Sequence, residues 1–353
     1  MRNVFSAIAI ILLGTGPAWG AYSTNVTTST YANIESKQST NLLFTLEDRP
    51  RLTVFTDAGK QSASVLADPA PGGRLLGTVD VEGSAQGGLL RLHSEAHGLA
   101  RHTGSAYSSG SYYDLYAVAS GFAAASISDT IVWSFASLAV GTPLTLRFTV
   151  SADANLSYQT LIASTGNDTR SFGNAYVGWS GQFVGSGVQG TFQSPSAPAA
   201  YAGRTFGGVD SSDLRGLGSF TFEQRVLSGV PVDLTFSASA SVSVTVRDMC
   251  FLNPSCIGSA GGIEAKATSD MMHTFAWGGV QEVRLGDGSI LDLGGLSAVS
   301  SSGFDYRLAA QPVPEPTTWA MLALGLAGLA VARRNCHRRS VQQPGPHGSR
   351  VTA

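Results

Sequence analysis

The chain is poor in charge: Asp, Glu, Lys and Arg make up 13% of its 353 residues, about half the usual share of a soluble domain. Its apolar content is ordinary, at 43%, so the scarcity is not that of charged disorder, which combines high net charge with few apolar residues. Formal net charge is −2, but the basic residues gather at the C-terminus. Over residues 21–311 there are 16 Lys and Arg against 23 Asp and Glu, a net of −7. Such a surface does not attract phosphates, and no nucleic-acid partner is expected. Histidine is scarce at six residues and cysteine at three. No G-x-S-x-G elbow occurs, and no Cys pairs plausibly with a distant His as a nucleophile. The expectation is a protein without catalytic residues or cofactor; scattered carboxylates leave a secreted glycoside hydrolase as the alternative. Residues 21–311 also lack a long apolar stripe of period 3.6, which argues against a helical body.

What is present instead is alternation. Leu144, Leu146, Phe148 and Val150 are interleaved with Thr145, Arg147 and Thr149, and Leu234, Phe236 and Ala238 with Thr235 and Ser237. Val242, Val244 and Val246 continue the period of two. Strands of this kind bury one face, which suits an antiparallel sandwich. Turn signals fall between the runs at Gly141-Thr142-Pro143, Asp287-Gly288 and Gly294-Gly295. The fold class expected is all-β, a two-sheet antiparallel sandwich or jelly roll, in one domain or two. Residues 141–152 and 229–240 echo each other, sharing six of twelve positions; a turn-then-strand solution reached twice explains this better than a repeat, because the flanks do not align. The Thr/Ser/Asn-rich residues 23–38 read as a loosely ordered leader, and residues 194–203, with Pro195 and Pro198, as a loop.

Both ends carry signals. Arg2 precedes the apolar stretch from Val4 to Leu13; Gly14, Gly16 and Pro17 break any helix, and Ala18 and Gly20 put small residues at −3 and −1. That is a secretory signal peptide over residues 1–20, cleaved after Gly20 and read by the Sec machinery. At the other end, Pro312 to Pro316 reads Pro-Val-Pro-Glu-Pro, a stiff extended stretch. Residues 317–332 contain no charge and as a helix would span about 24 Å, slightly short of the hydrocarbon core. Arg333, Arg334, Arg338 and Arg339 follow; the positive-inside rule keeps them cytoplasmic and places the body on the opposite side of the membrane. Residues 340–353 read as a disordered cytoplasmic extension.

The sequence Val313-Pro314-Glu315-Pro316, then a short apolar helix starting near Trp319, then the arginine cluster, resembles the PEP-CTERM sorting signal. The resemblance covers residues 313–339, under a tenth of the chain, and here the chain continues beyond the arginines where such tails usually stop. It implies export by a Gram-negative bacterium that makes exopolysaccharide. It also implies recognition by an exosortase, a membrane-embedded cysteine protease that cleaves near the Pro-Glu-Pro motif. The tail is also labelled an ice-binding protein C-terminal domain, a label that says nothing about the body. The localisation expected is export, membrane anchoring through the C-terminal helix, then the cell surface or matrix with exopolysaccharide as a partner. A carbohydrate- or ice-binding surface module is the alternative.

Candidate chemistry within the body is thin. Strand geometry puts His93, Glu95 and His97 on one face with Leu90, Leu92, Ser94 and Ala96 on the other. Two imidazoles and a carboxylate could bind a transition metal, but a solvated strand face explains them as well. His102 lies close by in sequence. Gly185-Ser186-Gly187-Val188-Gln189-Gly190 matches G-x-G-x-x-G by chance, because strand and loop follow where a dinucleotide site needs a helix. Asp287 and Asp292 suggest calcium only weakly, since a turn at Asp287-Gly288 needs nothing more. Cys250 and Cys256 are expected to pair in an oxidising compartment, worth about 2 kcal/mol by loop entropy; Cys336 lies on the reducing side. Tyr107, Tyr112, Tyr113, Trp179 and Tyr201 are candidates for stacking on sugars.

Overall fold

The computed structural model describes residues 22–38, 41–68, 73–102, 113–162, 168–185, 188–193, 199–203, 211–213, 217–250 and 261–310. Among them the structure is antiparallel β in two sheets, with one 3₁₀ turn at Leu293–Gly295. Sheet A runs in spatial order through β11 (Ser211–Asp213), β10 (Ala199–Gly203), β8 (Asp168–Gly185), β13 (Pro231–Cys250), β6 (Tyr113–Phe135), β1 (Ser23–Gln38) and β2 (Asn41–Phe55). β9 (Val188–Gln193) adds to β8, and β16 (Leu296–Ser300) to β6. Sheet B runs through β12 (Gly218–Leu227), β7 (Pro143–Ile162), β14 (Gly261–Leu285), β5 (Leu89–His102), β4 (Gly73–Gln86) and β3 (Ala58–Ala67), with β15 (Ile290–Leu291) on β14. The two sheets face each other as a sandwich, β1 and β6 lying over β3, β4 and β5, and β13 and β8 over β5 and β14.

The alternation read from the sequence is realised strand by strand. Leu144, Leu146, Phe148 and Val150 are buried, as are Leu234, Phe236, Ala238, Val242, Val244 and Val246. The core between the sheets has two textures. On β6 the inward positions from Ala117 to Ala125 are all Ala or Gly, so the sheets approach closely there. A Cβ built on Gly121 would lie 2.5 Å from Val79 Cγ2 and 2.7 Å from Val81 Cγ1. Under β8 and β9 the filling is aromatic: Phe148 stacks on Trp277 with centroids 4.7 Å apart and meets Phe183 and Phe192 edge-on at 5.5 and 5.3 Å. Offset and edge contacts of this kind add to plain burial.

Two expectations from the sequence need correction. Residues 23–38 are not a loose leader but β1, hydrogen-bonded on both sides within sheet A. Its inward positions include Thr28, Thr30 and Ser36 beside Val26, Ala32 and Ile34, so half of its core face is hydroxylic and the apolar period is hidden. Thr28 donates to Gln61 Oε1 at 3.1 Å, which satisfies one such hydroxyl. Residues 199–203 form β10 rather than loop, paired with β8 and β11; residues 194–198 lie outside the described residues. The Gly294-Gly295 signal is part of the 3₁₀ turn, capped by the Asp292 carboxylate. The echoed segments open β7 in sheet B and β13 in sheet A, and their turns touch: the Gly141 N–H donates to the Ser228 carbonyl at 2.7 Å, and the Ser228 N–H to the Thr142 carbonyl at 2.9 Å.

Residues 301–310 strap one end of the sandwich. The Ser302 N–H and hydroxyl both donate to the buried Asp129 carboxylate. Trp277 Nε1 donates to the Tyr306 carbonyl at 2.7 Å, and the Ala310 N–H to the Trp277 carbonyl at 2.7 Å. Gly279, at φ +82°, passes beneath the strap, where a Cβ would sit 2.9 Å from its backbone. Tyr306 is fully buried, and its phenol is pushed far up by that burial.

Candidate functional face

The outer surfaces of the two sheets differ in kind. On sheet B, β5 and β14 present a lattice of opposite charges. His93 Nδ1 lies 3.7 Å from Asp270, Lys266 Nζ 2.7 Å from Glu95, and His97 Nε2 2.9 Å from Glu264. The facing Asp270 carboxylate raises the His93 pKa above its ordinary value against the opposing effect of burial. His93, Glu95 and His97 thus share the outer face, with Leu90, Leu92, Ser94 and Ala96 inward, but each points to a partner on β14 rather than to a common centre. Among the described residues no group of three or more His, Cys, Asp or Glu converges as metal ligands. The Asp287 carboxylate accepts from the Ser289 N–H and hydroxyl at 2.9 and 2.7 Å, and these bonds hold its pKa down. Asp292 accepts from the Gly294 N–H.

Sheet A presents something else. β1, β6, β13 and β8 lie side by side in perfect register, so their outward residues form cross-strand rows. The rows run Ser23–Ser128–Thr235–Gln182, Asn25–Ser126–Ser237–Ser180, Thr27–Ala124–Ser239–Gly178 and Ser29–Phe122–Ser241–Tyr176. Tyr31–Ser120–Ser243–Asn174 and Asn33–Val118–Thr245–Phe172 follow. No ionisable acid or base stands in any of them. At standard strand spacings the area is roughly 33 Å by 14 Å. Charge returns at its ends and on its β2 flank: Thr130 donates to Asp233 at 2.5 Å at one end, Glu35, Arg247 and Arg170 form the next row at the other, and Glu47 of β2 stands beside Asn33. There Arg247 holds Asp114 through two bonds of 2.7 and 2.6 Å. Within the area Ser128 pairs with Thr235 at 2.9 Å and Ser180 with Ser237 at 3.2 Å.

Two of the aromatic residues expected to stack on sugars do not reach this face. Tyr113 and Trp179 are buried, at 1% and 4% exposure, because both occupy inward positions of their strands. Trp179 packs on Phe220, Phe222 and Phe275. Tyr107 and Tyr112 lie outside the described residues, as does the side chain of Tyr201. The outward aromatics on β1, β6 and β8 are Tyr31, Tyr116, Phe122, Phe172 and Tyr176; burial against the sheet pushes the phenols of Tyr31 and Tyr116 up. The Tyr176 ring leans along β8 over Gly178, where a Cβ would fall 2.6 Å from Tyr176 Oη and 3.4 Å from Ser239 Oγ. Period-two parity could have found these rings, but the choice of parity for β8 is concealed by glycines on both of its faces.

His102 separates from the other two histidines. It turns inward and is fully buried with Asp248, Nδ1 to Oδ2 at 2.5 Å, while Tyr113 Oη lies 3.2 Å from the ring. This pair joins β5 of sheet B to β13 of sheet A; its partners are 146 residues apart, so no local pattern along the chain announces it. In the G-x-G-x-x-G segment Gly185 ends β8 and β9 follows, so a strand stands where a dinucleotide site needs a helix. The gap between Val150, Phe192, Phe236, Phe275 and Trp277 is apolar and has no room for a water-sized molecule.

Residues 312–335 match the family model of the PEP-CTERM protein-sorting motif. The chain carries a PEP-CTERM sorting tail. A protein with this motif is sorted by an exosortase to the cell surface; the motif indicates no molecular activity for the body. No curated protein and no solved structure matches the chain. Val313, Pro314, Glu315 and Pro316 of the PEP-CTERM motif lie outside the described residues, as do Arg333, Arg334, Arg338 and Arg339 and the apolar residues 317–332. The same holds for Ala18 and Gly20 of the expected signal peptide, for Cys256, Cys336 and the side chain of Cys250, and for residues 340–353. Among the described residues no helix is long and apolar enough to cross a membrane.

Proposed function

We propose that this is a non-enzymatic protein of the cell envelope or extracellular matrix, whose β-sandwich body associates with exopolysaccharide. The Sec machinery exports it, the C-terminal helix holds it in the membrane, and an exosortase then releases it near Pro316. The PEP-CTERM match at residues 312–335 carries this reading. The fold supports it: the strap is bound to the sandwich as far as Ala310, so the described body closes before the motif at which an exosortase would cut. The neutral outer face of sheet A favours a carbohydrate partner over an acidic or basic one.

The test is the intact mass of the native protein from membrane and matrix fractions. A matrix form beginning at Ala21 and ending near Pro316 is the expected result. A chain found only in the membrane and still ending at Ala353 would make the tail a plain anchor and overturn the reading.

A further inference from the structure

The geometry points to the outer face of sheet A, centred on Tyr176, Phe122 and Ser239, as a binding surface for extended strands of neutral polysaccharide. This rests on the reading above that the body associates with exopolysaccharide, and it supplies the place and the chemical class. The face is large and uncharged, while the opposite face of the same sandwich is a charge lattice. An acidic glycan would bring carboxylates to a surface with no cation to meet them, and would lose hydration without compensation. A neutral glycan brings hydroxyls, and the face answers with hydroxyls, each carrying one donor and two acceptor positions. The Ser128–Thr235 and Ser180–Ser237 pairs consume only one donor each, so acceptor capacity is left toward solvent.

Two rings add the second half of sugar recognition. Phe122 and Tyr176 stand in one row on either side of Ser241, about 10 Å apart across two strand spacings. Tyr176 leans along β8 over Gly178, its hydroxyl end near Ser239. Apolar C–H faces of pyranose rings stack on such surfaces while their hydroxyl rims bond beside them. The adjoining row, Thr27–Ala124–Ser239–Gly178, carries short side chains, and the Tyr176 ring reaches over its Gly178 end, so rings and hydroxyls stand side by side. An ice plane needs a regular array, and rings among the hydroxyls interrupt one. A face roughly 33 Å long fits a polymer rather than a single sugar.

The experiment is electrophoresis of the full chain in mild detergent through gels containing hydroxyethylcellulose, a neutral glucan, or alginate, an acidic one. Retardation by the neutral glucan and not by alginate is expected. Ser239→Arg, which puts a bulky cation at the centre of the face, and Tyr176→Ala should each weaken retardation at least tenfold with an unchanged melting temperature. Thr78→Arg, outward on β4 of sheet B, should leave it intact. Equal retardation of wild type and Ser239→Arg would overturn the assignment of the face. So would retardation by alginate alone, or ice shaping with neither glycan bound. If the native protein is found in the matrix and the neutral glucan still does not retard it, this inference fails while the proposed function stands. If it never leaves the membrane, the proposed function fails first.

Discussion

The two outer faces of one sandwich have solved the problem of meeting water in opposite ways. Sheet B places Glu95, Lys266, His93, Asp270, His97 and Glu264 in alternating cross-strand contact. Sheet A, over a comparable area, has Ser, Thr, Asn, Gln and a few rings. Both cover the same core, so the core does not require the difference. Exposed ion pairs contribute little to stability, and Ser and Thr side chains on strands contribute through modest cross-strand pairs. The asymmetry therefore belongs to what each face meets. Between the faces lies a third setting, where the hydrogen-bonded pair His102–Asp248 is out of water altogether.

If position relative to water decides what a charge is worth, the buried pair should show the largest effect. Asp248→Ala strands His102 in the interior and should cost about 3–5 kcal/mol in denaturant-induced unfolding. Replacing both by Leu should recover most of that; a double variant as unstable as the single one would contradict the argument. Next comes the close approach that holds the two faces together. Gly121→Leu drives a side chain into Val79 and Val81 and should cost about 1–3 kcal/mol or more as the sheets part, read as a lower midpoint of unfolding. Gly178→Ala, by contrast, meets only the mobile end of Tyr176; it should leave the melting temperature nearly unchanged while increasing the fluorescence exposure of Tyr176.

The smallest effects separate the faces directly. Lys266→Ala should cost about 0.2–1 kcal/mol at low salt and almost nothing at 1 M salt, since exposed pairs are screened. Ser237→Ala on sheet A should show no salt dependence, and a matching salt slope for both would erase the distinction. Because the His93 pKa is raised in the folded state, its attraction to Asp270 contributes fully below the ordinary histidine pKa of about 6.5 and is lost as pH rises through the raised value. Asp270→Asn should flatten that part of the stability–pH profile, by about 0.5 kcal/mol.

Much of this architecture is legible in the chain because a strand's period of two is local. The buried run from Leu144 to Val150 and the outward set His93, Glu95 and His97 follow from parity alone. Parity fails where inward positions are themselves polar. β1 buries Thr28, Thr30 and Ser36, and a hydroxyl counts as solvent-facing until its partner is known. It fails for Tyr113 and Trp179 as well, because the large amphipathic rings fit either side of a strand and only packing decides.

The C-terminal sorting motif and the all-β character could be read from the chain alone, because apolar runs, charge clusters and alternation are properties of neighbours along it. Which strands lie side by side was settled in the folded structure. That choice set the serine rows of β13 against those of β6 and β8 in register, and closed His102 on Asp248 across 146 residues. Register and pairing depend on burial shared between distant segments, and a one-residue slip on any of these strands would have turned its hydroxyls inward and left no continuous face.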